Sequence, residues 1–560
     1  MKCRFHFVFL SICHLAAAAS ADFATPPPPT GGNDLTVQIV PGWAERTVSA
    51  AALRGRVASM EGNAPARWRC SGAIELPVKF ADNPIVRASW DINCKIDLSD
   101  HAGIEFDFWC GDISQFSQLR FYLRSGGGWY ATWPFAPDKE REWCRIRIAK
   151  DDFNKEGKCL GFDKIDGLRI SGWRNGVKDT ALGFANLSYT DAVVKKLTKA
   201  EIAERDRKTL EWVKTLPAKP GEYRAFWCHS PFGLGGAPEK GWDEAIRLLK
   251  ANGFNAIYVN LAWAGCAYYK SAILPPSPQM VGKGDQLEQC LAACRKYGVE
   301  CHAWKMCWVT GGTNRTDGTI AAEAKRRGQL QVNDRGDEIP NALCPSDPDV
   351  LRREVAAFVE LAKKGVDGIH FDRVRHNATS TCFCKGCRAR FERKIGGRVD
   401  AWPTDVLQGG RFAKEWMDFR ADSITALVRE VAERVRREAP EVKISAAVFN
   451  SPYTDREGVG QDWPLWCREG WLDIVCPMDY TVSPLLLKSM VEAQKAAGGK
   501  AKVVPGLGLS LWPKGVDKVR NAAEQIQVVR NAGLEGFIFF NYTVWNLHTI
   551  DALRQGPLGD

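Results

Sequence analysis

Two rhythms of apolar and polar residues divide the chain. From about residue 35 to 191 the apolar positions alternate with polar ones in short runs, as in Ile104-Glu-Phe-Asp-Phe-Trp109, Gln118-Leu-Arg-Phe-Tyr-Leu123, Trp143-Cys-Arg-Ile-Arg-Ile148 and Gly167-Leu-Arg-Ile-Ser171. Alternation with a period of two puts one face of each run in a core and the other in water. Turn formers such as Gly126-Gly-Gly128 and Pro137-Asp138 separate the runs, so the pattern predicts an antiparallel β-sandwich. Residues 192–222 contain a highly charged helical stretch, Lys195 to Lys214, closed by Pro217, Pro220 and Gly221, and read as a linker helix.

Beyond residue 222 the rhythm changes to strand and helix in alternation. Strand-like runs fall at 223–227, 256–260, 300–304, 368–372, 443–448, 474–478, 502–507 and 536–540, with helical patterns between them, among them 242–251, 349–364, 411–439 and 516–532. Parallel strands need such crossovers. Eight of them over residues 223–560 predict an α/β fold, a (β/α)8 TIM barrel with enlarged loops. A doubly wound open sheet is the alternative, but no glycine fingerprint follows the first strand.

The start of the chain changes this picture. Lys2 and Arg4 precede an apolar run from Phe7 to Ala19 and the small-residue site Ala19-Ser-Ala21, the pattern of a signal peptide over residues 1–21. Residues 22–34, with Pro26 to Pro29 and Gly31-Gly32, read as a flexible leader. No other stretch approaches the length of a membrane span, so the expectation is a protein exported to the periplasm or beyond. The net charge of +10 is mild for 560 residues and its basic residues are interleaved with acids, which argues against nucleic acid as a partner. Of 19 cysteines two lie in the signal, leaving an odd number for an exported chain. Cys301 and Cys476 sit in apolar runs and read as small core residues. Cys382-Phe-Cys384-Lys-Gly-Cys387 is different: three soft ligands within six residues suit a structural zinc or a local disulfide, although no fourth ligand is identifiable.

Candidate chemistry concentrates where the strands end. The segment Gly368-Ile-His-Phe-Asp-Arg-Val-Arg-His376 takes an apolar strand directly into a carboxylate flanked by arginines. Gly368, His370 and Asp372 share one face, and a carboxylate at the C-terminal end of a barrel strand is a usual station for catalysis. The plainer reading pairs Asp372 structurally with Arg373 or Arg375. Other strand ends deliver Cys228, His229 and Ser230, then Asn260, His302, Trp304 and Lys305, then Asn450, Asp479 and Tyr480, and finally Asn541, Tyr542 and Trp545. A rim of aromatic rings, amides and carboxylates suits a sugar, which needs apolar faces for stacking and fixed groups for hydroxyls. In that reading Asn260, His302, Asn450 and Asn541 hold hydroxyls while Trp304 and Trp545 stack. His302 reads equally well as a satisfied core histidine. Glycoside hydrolysis needs two carboxyls. Asp372, beside cations that favour the anion, suits the nucleophile, and Asp479, among less charged neighbours, suits the proton donor. Glu457, Asp455 and Asp462 compete for the second role, and a bland alternative has Asp479 merely orienting Asn541 or Tyr542. In the N-terminal region Trp129, Tyr130 and Trp133 are the best candidates for a binding surface, although most indoles there read as core.

On GIHFDRVRH, LDIVCPMDYT at 472–481 and GFIFFNY at 536–542, residues 222–550 resemble the glycoside hydrolase-like family ten. The resemblance implies a (β/α)8 barrel acting on polysaccharide, with some members linked to bacterial cell-wall glycans. More distantly, aspartates on the fourth and sixth strands resemble the retaining α-galactosidase superfamily, which implies Asp372 as nucleophile and Asp479 as acid/base. Arg373 and the cysteine loop depart from the family's pattern and bear on specificity. GLRISGW at 167–173 resembles a galactose-binding jelly roll, implying a carbohydrate-binding accessory domain. The leading expectation is therefore an exported retaining glycosidase with no required cofactor. The alternatives are a glycan-binding barrel without catalysis and a metal-dependent hydrolase using His302, His370 and Asp372.

Overall fold

The computed structural model describes residues 25–27, 67–69, 73–81, 85–191, 198–311, 319–512 and 517–559. The expected signal peptide and most of the expected leader lie outside the described residues.

The N-terminal region holds two five-stranded antiparallel sheets. One runs in the order Arg67–Arg69, Ala73–Val78, Thr180–Thr190, Gly103–Cys110, Cys144–Ala149; the other runs Arg87–Ile96, Ile165–Arg174, Phe116–Ser125, Gly127–Ala131, Asn154–Lys158. Their inner faces supply one apolar core. Phe106 of the first sheet packs on Phe121 of the second at 5.1 Å and on Phe184 at 4.9 Å. Alternation explains this: Phe106 and Phe108 are buried in that core, while Glu105, just before them, pairs with Arg145 and Arg147, and Asp107, between them, pairs with Arg145 at 2.7 Å. Trp90 and Trp109 are buried as well. Tyr130, expected at a binding surface, is instead buried and stacked on Phe162 at 4.0 Å, whereas Trp133 is 37% exposed. The linker helix, Lys199–Val213, starts at a capping box in which Thr198 and Glu201 satisfy each other's backbone donors.

Eight parallel strands follow: β1 Tyr223–Cys228, β2 Ala256–Trp263, β3 Glu300–Met306, β4 Gly368–Asp372, β5 Lys443–Val448, β6 Ile474–Asp479, β7 in two pieces at Lys502–Val503 and Gly506–Leu507, and β8 Gly536–Phe540. β1 pairs with both β2 and β8, which closes the barrel. One face of each strand fills the lumen with Trp227, Tyr258, Trp304, Cys476 and Ile538. The other face, with residues such as Phe226, Ile257, Ile369 and Phe371, packs under the helices. The two cores meet at helix Pro484–Ala497 after β6, whose Leu486 and Met490 enter the sandwich core. Asn175 donates from Nδ2 to Ser489 Oγ at 3.1 Å, and Ser451 Oγ, after β5, donates to the Arg174 carbonyl at 2.8 Å. These bonds tie the N-terminal sheets to the loop after β5 and to the helix after β6.

Candidate active site

The pleat of β4 sets the site. Ile369 and Phe371 point outward and are buried among helices, so Gly368, His370 and Asp372 face the lumen. At the lower level a side chain on Gly368 would lie 2.3 Å from His302 Nδ1, so only glycine leaves room for that ring. His302 stacks on Tyr258 at 4.2 Å, and its Nε2 lies 3.2 Å from Glu300. One level up, His370 Nε2 accepts the Trp227 indole N–H at 2.9 Å, which places the ring proton on Nδ1, donated to Ser445 Oγ at 2.9 Å. Ser445 passes its own proton to the Ile369 carbonyl at 3.0 Å. Burial holds the His370 pKa well below the usual histidine value, so the ring is neutral.

Above this layer stands Asp372. Its Oδ1 accepts the Arg373 backbone N–H at 2.6 Å and its Oδ2 accepts the Trp304 indole N–H at 3.2 Å. Burial raises its pKa, opposed by the charges of Arg375 and Arg373 and by both hydrogen bonds. The sequence expectation that the arginines dominate is corrected: desolvation is the larger effect. Arg375 lies over the Phe449 ring at 4.4 Å, and burial together with the Arg373 charge brings its own pKa down to about 10. His229, after β1, meets Trp304 and Trp263 edge-on at 5.8 and 5.6 Å; burial lowers its pKa and the Asp372 charge opposes that. Tyr480, one residue past β6, packs on Phe540 at 5.7 Å and feels the Asp372 charge. Asn260, on β2, directs Nδ2 to Met306 Sδ at 3.8 Å and leaves a buried Oδ1 with no protein partner. A carboxylate with two hydrogen-bond donors, a nearby guanidinium, indoles and an unsatisfied amide oxygen form a polar cluster in an aromatic frame.

A family model described as glycosyl hydrolase-like 10 matches residues 222–506, which run from β1 into β7 and include the β4 and β6 ends just described. The chain belongs to this family. Among curated relatives, an S-layer-related protein of Niallia circulans is 30% identical over 127 residues, covering 20% of this chain and 8% of that protein. The glycosyl hydrolase DigH of Escherichia coli O6:H1 is 23% identical over 270 residues, covering 41% of this chain and 56% of the relative. The chain thus spans less than two thirds of either. Among solved structures, an exo-β-agarase superposes with a TM-score of 0.45 at 9% identity, covering 90% of this chain and 98% of that one. The catalytic domain of a β-amylase from Paenibacillus polymyxa gives 0.42 at 11% identity, covering 61% and 96%.

Several residues expected at the rim of this glycosyl hydrolase-like 10 barrel lie elsewhere. Met478 and Tyr480 flank the lumen, so Asp479 between them faces the helical layer. It is fully buried, and its Oδ1 accepts from Gln494 Nε2 of helix Pro484–Ala497 at 2.7 Å. Burial drives its pKa well above the ordinary value. The expected pairing of Asp479 with Asp372 across the mouth is therefore corrected. His302 sits in the lower lumen beside Glu300 and Tyr223, not at the rim. Tyr542 is buried among the outer aromatics and donates to the Ala245 carbonyl at 2.6 Å. Arg373 adopts φ of 53° and turns to Asn377, donating to its Oδ1 at 2.6 Å. Asn450 is half-buried, and its carbonyl accepts from Gln494 at 2.9 Å. Asn541 Oδ1 accepts from Ser510 Oγ at 2.8 Å. Trp545, in the first turn of helix Val544–Leu553, is 73% exposed. Trp263 and Phe449 were missed by sequence reasoning; Trp263 ends a strand that runs three residues past its expected limit. The metal-hydrolase alternative fails because both His370 nitrogens are engaged and His302 lies a level lower. Among the described residues, the groups converging with metal-holding spacing are Cys344 with Cys382, Cys384 and Cys387, and Cys290 with Cys294 and Cys301.

Proposed function

We propose that this protein is an exported glycoside hydrolase that cleaves glycosidic bonds of a polysaccharide or cell-wall glycan, with Asp372 as its central carboxylate. The observation that carries the reading is the setting of Asp372: a lumen-facing acid at the C-terminal end of β4, touched by donors from Arg373 and Trp304 and beside the Arg375 guanidinium. Groups that only donate favour the anion, while burial makes that anion poorly solvated and reactive. Asp372 is then the attacking group of a retaining reaction.

A second carboxyl must protonate the leaving oxygen. Asp455 is sealed by the Ser451 N–H and the Trp463 indole, and Asp462 caps helix Trp463–Glu469 while bound to Arg456 at 3.0 Å. Glu457, on helix Asp455–Val459 after β5, keeps its side chain 30% exposed and has Arg456 no closer than 3.5 Å. Of these three competing acids it is the one neither sealed nor closely paired, and we assign it the donor role. Trp545, Trp263 and His229 would frame the sugar rings, and Trp133 of the sandwich would extend the contact with a polymer. The family membership and the relative DigH, named as a glycosyl hydrolase, support the reaction class.

The test incubates wild type, Asp372→Asn, Glu457→Gln and Asp479→Asn with a glycan panel and measures new reducing ends. Expected is release by wild type and Asp479→Asn, with loss of about a hundredfold or more in the other two. Release by Asp372→Asn equal to wild type would remove Asp372 from the mechanism. Binding of glycan without release by wild type would leave a recognition barrel instead.

A further inference from the structure

The cysteine loop lies outside this site and carries its own chemistry. Cys382, Cys384 and Cys387 follow β4, and the fold brings to them Cys344, which directly follows strand Glu338–Leu343 in the loop after β3. All four are buried, and their sulfurs lie within 4.8 Å of one another. Cys344 Sγ is 3.3 Å from Cys387 Sγ and 3.7 Å from Cys384 Sγ. A disulfide would need about 2.05 Å. Four sulfurs bonded at about 2.3 Å to a tetrahedral ion have edges of about 3.8 Å, close to the spacing here.

The surroundings point the same way. The Cys387 backbone N–H donates to Cys384 Sγ at 3.3 Å, at the first turn of helix Lys385–Ile395, where N–H groups face a negative ligand. Arg390 donates to Cys344 Sγ at 3.6 Å, and the buried Arg420 guanidinium donates to the carbonyl of Thr381, next to Cys382. Four neutral thiols need no such cations. A zinc tetrathiolate carries a net charge of minus two and does.

We infer that Cys344, Cys382, Cys384 and Cys387 bind one structural zinc ion, which fastens the loop after β4 to the loop after β3. Binding releases the thiol protons to solvent, and four sulfur ligands leave no open position for substrate. The same segment is tied down at Phe383, whose N–H donates to the Val332 carbonyl at 2.8 Å, and at Thr381, whose carbonyl accepts from Arg420 Nε at 2.8 Å. The ion would therefore stiffen the stretch that leads out of Asp372.

The experiment measures metals in the purified full-length protein by plasma mass spectrometry, before and after an organomercurial displaces thiolate-bound ions. Expected is one zinc per chain, released by the mercurial, and lost in Cys344→Ser and Cys387→Ser but kept in Cys294→Ser. The wild-type measurement stands even where a variant fails to fold. Wild type without a stoichiometric metal, with another metal in its place, or with these cysteines joined as disulfides in an intact-mass measurement, would overturn the assignment. So would a zinc content unchanged in both Cys344→Ser and Cys387→Ser.

Discussion

His376, the last residue of the β4 motif, offers a prediction whose size follows from its burial. Its ring is enclosed, Nε2 lies 3.3 Å from the Arg420 carbonyl, to which it donates, and Nδ1 has no protein partner. Its backbone N–H donates to the Val459 carbonyl at 2.9 Å, tying the Asp372 loop to the helix that carries Glu457. Burial and the Arg420 charge bring its pKa down to about 3, against about 6.5 in an unfolded chain. The folded state thus refuses a proton that the unfolded state accepts, so this contribution to stability is complete above pH 6.5 and is lost as the pH falls towards 3. Integrating the linkage gives a loss of about 2 kcal/mol between pH 7.5 and pH 5, and about 3 kcal/mol by pH 4. His376→Gln keeps an N–H for the Arg420 carbonyl but cannot titrate. Urea unfolding of both proteins at pH 7.5, 5 and 4, followed by tryptophan fluorescence, isolates the effect, because every other titrating group is common to the pair. The difference in stability should move in favour of the glutamine variant by those amounts. Parallel pH dependence in the two proteins would refute a buried neutral ring.

Two further perturbations separate packing from recognition. Tyr542→Phe leaves the Ala245 carbonyl without its buried donor and should cost about 1–2 kcal/mol in urea unfolding with unchanged kcat/KM; a fall in kcat/KM at unchanged stability would return Tyr542 to the site. Trp545→Ala removes an exposed indole and should leave stability within about 0.5 kcal/mol while weakening glycan affinity about fivefold by titration calorimetry, an outcome that undiminished affinity would contradict.

The alternation in Gly368-Ile-His-Phe-Asp372 was enough to aim Asp372 at the lumen, because its apolar neighbours could only satisfy the helical side. The same alternation, applied to Cys476-Pro-Met-Asp-Tyr480, would have turned Asp479 away. Position at a strand end is not position at the mouth, because adjacent residues on a strand face opposite ways. His302 was misplaced for a related reason: it lies on the lumen face, but near the start of its strand, where the side chains form the lower layer.

The sequence by itself determined the eight-stranded barrel and the placing of Asp372 within it, since period and strand order are local and cumulative properties of a chain. Only the packing of the whole chain settles which acids are sealed beneath helices, as Asp479 is. It also brought Cys344 to a cysteine loop 38 residues away and engaged both nitrogens of His370 with Trp227 and Ser445. Those outcomes depend on how loops of unrelated sequence pack, and no spacing along the chain encodes them.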